Sequence, residues 1–312
     1  MSAPIHSVSD WKSSRFDMII DVRSPEEFQI DHIPSAVNMP VLTDTQRAEI
    51  GRIYKQVSPF EARKLGASYI SHNISIHLKN GLLKKNRDFK PLIYCWRGGQ
   101  RSGALNRIMS EIGWQTYQLK GGYKTYRQGV ISQLNDFSDS IKLVRLAGYT
   151  GAGKTKVLNI LRQKGEQVID LEQLAGHRGS LLGEIKNKKQ PSQKQFESDI
   201  LSTIYKMSKS KHIYVESESS TIGNLLLPGP FWQKLKRAPF IWLKVPLESR
   251  SEFLLEEYAC LTEHSETLIQ LLNLIKRKGD CELAELVAEN ISRYEWKVVA
   301  ENLLSGYYDP SY

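Results

Sequence analysis

Cysteine is scarce in this chain, with Cys95, Cys260 and Cys281 the only three among 312 residues. Three scattered cysteines exclude a disulfide framework and a four-cysteine zinc site. Long apolar runs are missing too. Nothing approaches the roughly 20 residues that span a bilayer, and Met1 to Asp17 lacks the charged-then-apolar pattern of a secretory leader. No membrane association is expected, and the chain reads as cytoplasmic. Acidic charge is in deficit over most of the length. Residues 1–135 carry 19 Lys+Arg against 11 Asp+Glu and residues 136–257 carry 19 against 14, whereas residues 258–312 reverse the balance at 5 against 9. The net charge of +9 suits a polyanionic partner, because lysines and arginines gain by displacing counterions from phosphates. A solvated basic surface would give the same composition.

What remains is ordinary for a globular protein, 40% hydrophobic and 25% charged, and long enough for two cores. Polar, turn-forming residues at 135–140 mark a boundary, giving expected domains at 1–135 and 140–312. In the first, Phe16 to Arg23 and Pro91 to Tyr94 read as buried parallel strands. Ser24-Pro25-Glu26-Glu27-Phe28 reads as a helix start, with Ser24 as cap. The second strand delivers Cys95 at its C-terminal end, the edge where open α/β sheets place ligands. Helical spacing from Gln100 to Trp114 makes Trp96–Gln100 a loop entering a helix N-terminus, whose unpaired N–H groups favour a thiolate and an anion. Lys79, Lys84, Lys85, Arg87 and Lys90 form the densest basic cluster here, either a solvated face or a platform for a nucleic-acid backbone beside the Cys95 loop.

In the second domain the apolar strand Ile141 to Ala147 runs into Gly148-Tyr149-Thr150-Gly151-Ala152-Gly153-Lys154-Thr155 and then a helix. Strand, glycine loop, Lys-Thr and helix is the full context of a phosphate-binding loop. Gly148, Gly151 and Gly153 let backbone amides approach an anion, Lys154 reaches the terminal phosphate, and Thr155 can ligate magnesium. Further apolar runs at 167–170, 212–216 and 240–243 fit the same sheet. Asp170, Glu216 and Glu218 are candidates for a metal or substrate role, as are His177 and Arg178 in the polar loop Ala175 to Ser180; strand termination and an ordinary capping turn are the plainer readings. Lys186, Lys188, Lys189 and Lys194 add a basic stretch. From Leu247 onward the chain reads as amphipathic helices. The fold class expected is α/β, a parallel-sheet domain followed by a phosphate-loop α/β domain with C-terminal helices. Cys260 and Cys281 lack any comparable context.

Asp21 to Phe28, His32 to Asn38, the Cys95 loop and Leu119-Lys120-Gly121-Gly122-Tyr123 together resemble a rhodanese domain. Followed by the phosphate loop, Asp170-Leu171-Glu172, His177-Arg178-Gly179-Ser180 and Tyr307-Tyr308-Asp309-Pro310, the whole chain resembles the bacterial tRNA 2-selenouridine synthases. The resemblance implies a transferase that first geranylates the sulfur of wobble 2-thiouridine in tRNAs for lysine, glutamate and glutamine. It then replaces the S-geranyl group with selenium. Geranyl diphosphate and selenophosphate are the implied co-substrates, the latter from selenophosphate synthetase. The tRNA anticodon stem-loop is the implied partner rather than DNA. Cys95 would carry selenium, and the phosphate loop would hold the prenyl diphosphate, with magnesium as an accessory.

Five residues separate Cys95 from Arg101, a loop sized for a tetrahedral oxyanion. That fits selenophosphate held by Trp96, Arg97, Gly98, Gly99, Gln100 and the Arg101 guanidinium. The same spacing suits a thiol phosphatase or arsenate reductase fused to an ATP-binding domain. A phosphate-loop kinase with an inert RNA-binding rhodanese module is a further alternative.

Overall fold

The computed structural model describes residues 2–311 apart from 13, 137–140, 179–188, 218, 258–271, 274, 278 and 279. The chain forms two compact units. One comprises Met1–Leu134 with Ser192–Ser202, and the other Asn135–Pro191 with Thr203–Tyr312.

The first unit is a five-stranded parallel sheet of β1 (Ile5–Val8), β2 (Met18–Asp21), β3 (Val37–Asn38), β4 (Pro91–Tyr94) and β5 (Thr116–Leu119), in the order β1-β5-β4-β2-β3. Short apolar runs become central strands when helices cover both faces, and every residue of β4 is buried. Helices α1 (Pro25–Ile30), α2 (Asp44–Gln56), α3 (Pro59–Asn80), α4 (Gln100–Ile112) and α5 (Gly122–Asp136) complete the sequential part. Ser24 caps α1 in a capping box with Glu27. Ile20, Val22, Ile74, Leu82, Ile93, Leu105 and Met109 make the core, and Cys95 belongs to it.

The second unit carries a four-stranded parallel sheet of β6 (Lys142–Ala147), β7 (Gln167–Ile169), β8 (His212–Glu216) and β11 (Phe240–Trp242), in the order β11-β6-β8-β7. A small antiparallel pair, β9 (Thr221–Ile222) and β10 (Leu225–Leu226), stands apart from it. Helix α6 (Lys154–Gln163) follows β6, and α7 (Leu171–Ala175) follows β7. Leu146, Leu158 and Val168 pack together beneath the phosphate loop. The helices from Leu247 onward include α10 (Leu247–Glu257), α11 (Cys281–Ser292) and α12 (Trp296–Leu303), after α8 (Gln193–Tyr205) and α9 (Gly229–Arg237). Ile275, Val287, Val299, Leu303 and Tyr307 form a separate cluster there.

In each unit, then, a central parallel strand hands the chain to a glycine-bearing loop and a helix N-terminus. Both sequence motifs occupy that position.

Candidate active site

Cys95 leaves β4 with 3% of its surface exposed. Its Sγ accepts the Gly99 N–H at 3.3 Å and lies 3.2 Å from the Ser102 hydroxyl. Gln118 secures this arrangement, donating through Nε2 to the Gly98 carbonyl at 2.7 Å and to Ser102 Oγ at 3.0 Å. From α5, Tyr123 N–H donates to the Cys95 carbonyl at 2.8 Å and Lys124 N–H to that of Trp96 at 3.0 Å. Gly122 makes the approach possible, because a Cβ there would fall 2.2 Å from the Cys95 carbonyl oxygen and its φ of +59° disfavours any side chain. The thiol thus sits at the floor of the loop between the Gly99 amide and the Ser102 hydroxyl, which donates to the Gly99 carbonyl at 3.2 Å.

The two arginines of the loop behave differently. Arg101 donates to Glu27 at 2.7 and 3.4 Å. Burial pushes the Glu27 carboxyl up, but Arg101, the Ser24 N–H and Arg47 outweigh it and hold the group below the usual carboxylate range. Arg97 is exposed and makes no side-chain hydrogen bond or ion pair among the described residues. Trp96 is 39% exposed and rests against Tyr123, ring centres 5.3 Å apart. Gln100 and Gly99 are exposed and Gly98 half-buried. Tyr123 is in turn held by Asp31, whose carboxylate accepts its hydroxyl at 2.7 Å, and by the guanidinium of buried Arg23, 4.0 Å from its ring centre. Burial chiefly, with Asp31 next, drives the Tyr123 phenol far up, so it remains a donor.

Four of the five residues of the first domain's basic cluster, all but Lys79 at the end of α3, lie elsewhere. Lys90 precedes β4 and Cys95 follows it, and Asn86 accepts the indole N–H of Trp114 just past the C-terminus of α4, whose N-terminus faces Cys95. Four strand residues span about 13 Å, so Lys84, Lys85, Arg87 and Lys90 gather at the opposite edge of the sheet rather than beside the cysteine. Sequence proximity to β4 does not distinguish the two ends of a strand.

In the second unit Lys154 Nζ donates to the Gly148 carbonyl at 2.9 Å, joining the two ends of the phosphate loop. Gly153 caps α6 in the left-handed conformation. Thr155 Oγ1 donates to Glu172 Oε2 at 3.3 Å, and the Glu172 N–H donates to Glu216 Oε1 at 2.9 Å. Glu216 is 1% exposed and braces α7 from the end of β8. Asp170 caps α7 by accepting the Gln173 N–H at 2.8 Å, with Arg162 at 3.7 Å. His177 is buried, and Arg178 donates to the Glu257 carbonyl at 3.1 Å. Glu218, Gly179, Ser180, Lys186, Lys188 and Cys260 lie outside the described residues.

Glu172 is the acid that sequence reasoning left without a role. Burial, then the charge of Asp170, raises its carboxyl to about 7, against the pull of Lys154 and the Thr155 hydroxyl. Its signal was the acid-x-acid spacing at the end of β7. Arg250, which donates to the Thr150 carbonyl at 3.2 Å, was also missed.

Comparison with known proteins places these sites. Residues 141–312 match the family profile of the tRNA 2-selenouridine synthase AAA domain, and residues 6–128 match the rhodanese-like domain. The chain belongs to the tRNA 2-selenouridine synthase family. Relatives bearing that name include the protein of Bdellovibrio bacteriovorus, 34% identical over 94% of this chain and 87% of its own length. That of Sulfurovum is 32% identical over the same shares. The Nitrosomonas europaea protein is 36% identical over 78% of this chain, an alignment that spans 64% of the relative. Cys95 falls within the rhodanese-like match and the phosphate loop within the AAA match, so both sites lie in family-defining segments. Among the described residues no helix is long and apolar enough to cross a membrane.

Proposed function

We propose that this chain converts wobble 2-thiouridine of tRNAs for lysine, glutamate and glutamine to 2-selenouridine through an S-geranyl intermediate. The observation that carries the reading is the pairing, in a chain aligned with the family along 94% of its length, of a donor-lined Cys95 loop with a separate phosphate loop. Geranyl diphosphate binds with its phosphates on the amides of Gly148–Gly153 and on Lys154. A carbon–sulfur bond forms at the thiouridine as diphosphate leaves. Selenophosphate occupies the Cys95 loop, with exposed Arg97 and the α4 N-terminus holding its phosphate. The Cys95 thiolate attacks phosphorus, an S–P bond forms as the P–Se bond breaks, selenide is released to the tRNA, and water later removes the phosphate from the cysteine. The C2–Se bond then forms as the C2–S bond breaks and geranylthiolate departs. The basic excess of the chain supports the tRNA, a cytoplasmic substrate, as the partner.

Magnesium fits the second site. Thr155 Oγ1 and Glu172 Oε2 are hard oxygen donors 3.3 Å apart, the type that binds magnesium together with phosphate oxygens. Among the described residues no three His, Cys, Asp or Glu side chains make a metal site on their own, so the ligand's phosphates would complete the coordination. The ion would neutralise charge on the departing diphosphate.

Nucleoside analysis of tRNA tests the proposal. A strain lacking the gene loses both 2-selenouridine and S-geranyl-2-thiouridine; complementation with Cys95→Ser restores only the geranylated nucleoside, and Lys154→Ala restores neither. Mass spectrometry after incubation with selenophosphate finds a phosphoryl group on Cys95, with selenide released. An unmodified Cys95 accompanied by brisk ATP hydrolysis overturns the reading in favour of a phosphatase- or kinase-like enzyme.

A further inference from the structure

The reaction assigned above leaves Tyr307-Tyr308-Asp309-Pro310 without a role. Helix α12 ends in a single π turn, Leu304–Tyr308, and Asp309 follows directly. Such wide turns cluster at functional positions, and they rotate the following residue away from the regular helical track. Leu304 and Tyr307 are buried, and Gly306 lies so close to Leu283 that a Cβ would fall 2.9 Å from its methyl groups. The turn is therefore locked in place by packing.

The Asp309 carboxylate meets one side chain squarely. Oδ1 accepts from Arg250 Nη1 at 2.8 Å and Oδ2 from Nη2 at 2.7 Å, a two-pronged pair that fixes the plane of the guanidinium. Arg250 is 4% exposed. Its remaining side-chain polar contacts among the described residues fall on the phosphate loop. Nη1 donates to the Thr150 carbonyl at 3.2 Å, and the guanidinium lies 5.1 Å from the centre of the Tyr149 ring. At Gly151, whose φ is +80°, a Cβ would fall 2.9 Å from the Arg250 carbonyl oxygen. Three consecutive loop residues thus rest on a single arginine.

A trans peptide plane directs its C=O and N–H oppositely, and the chain has no cis peptide among the described residues. With the Thr150 carbonyl turned to Arg250, the Gly151 N–H is turned away from it. We propose that Asp309, through Arg250, is the positioning residue of the phosphate loop, orienting the Thr150–Gly151 peptide so that its N–H is presented to the phosphates of the ligand. Without Asp309 the guanidinium is a buried cation lacking its counter-ion, and it is free to leave the carbonyl. The inference rests on the reading that Gly148–Thr155 holds a phosphate-bearing ligand.

The test uses the full-length protein, with geranyl diphosphate and inorganic diphosphate as probes in calorimetric titrations, and hydrogen exchange as a second readout. Asp309→Asn weakens both probes by about tenfold or more, the loss expected of a severed charge-assisted pair. It also speeds exchange at 148–153 while leaving β8 protection and thiol labelling of Cys95 unchanged. Asp309→Glu recovers most of the affinity. Arg250→Lys, which keeps a buried charge beside Asp309 but loses the planar fork, behaves like Asp309→Asn and serves should that variant fold poorly. Wild-type affinity in Asp309→Asn and Arg250→Lys overturns the proposal, as does exchange that rises uniformly through the unit. Lys154→Ala separates the two claims. If it loses both probes while Asp309→Asn keeps them, only the positioning role falls; if it binds them normally, the reading of the loop falls first.

Discussion

A carboxyl raised to about 7 is shared between two protonation states at neutral pH, and Glu172 is such a group. Its folded form keeps the proton to a higher pH than an unfolded glutamic acid does. The stability this confers is fully present below about pH 4.5 and is lost as pH rises through 7. In the absence of phosphate ligands, denaturation of the full chain, followed by exchange at His212–Glu216, should show that decline, on the order of 3 kcal/mol; Glu172→Gln should flatten it. An equally steep decline in the variant would mean that another group is responsible. Sequence reading reached Cys95, Lys154 and Thr155 because their chemistry is written in contiguous residues. It passed over Glu172, Ser102, Gln118 and Arg250 because their roles depend on partners far along the chain or on burial. It enlisted Arg101 for the oxyanion, whereas the fold engages that side chain with Glu27, 74 residues upstream, and leaves Arg97 exposed.

Elements were legible where they are apolar and central. The runs that became β4, β6 and β8 were bounded within a residue or so, since burial on both faces demands continuous hydrophobicity. Strands β1 and β3 gave no such signal, being an exposed edge and a two-residue pair. The apolar run of β11 did become a strand, but it stands at the sheet edge with Phe240, Ile241 and Trp242 all more than two-fifths exposed. The most demanding junction is between the Cys95 loop and α5, where Gly122 lies against backbone on two sides. Gly122→Ala should destabilise the first unit by about 2–4 kcal/mol, because neither the Cys95 carbonyl nor the Gly98 amide can yield cheaply and φ is positive. It should also slow thiol labelling at Cys95, with binding of inorganic diphosphate unaltered. A melting temperature unchanged from the wild type would contradict this picture of the junction.

At the scale of the molecule, the order of residues along the chain and their grouping in space diverge. Ser192–Ser202 clusters with the first unit although the phosphate loop precedes it in sequence. From this segment Gln195 accepts the His32 N–H, Ser192 donates to the Ile30 carbonyl, and Glu197 pairs with Arg127. Nothing in a helical pattern announces which core it will join. On the ribosome the first unit is therefore incomplete until Ser202 has been made, 68 residues after Leu134. At about 5–20 residues per second the delay lasts several seconds, during which Arg127 and the neighbourhood of Asp31 wait for their partners. Arrested nascent chains ending shortly after Leu134 should be cut readily by protease, and those long enough to expose Ser202 should resist. The unit that frames Cys95 would then be completed only after the phosphate loop has been synthesised, so a chain truncated between Leu134 and Ser202 would carry the thiol in an unfinished fold.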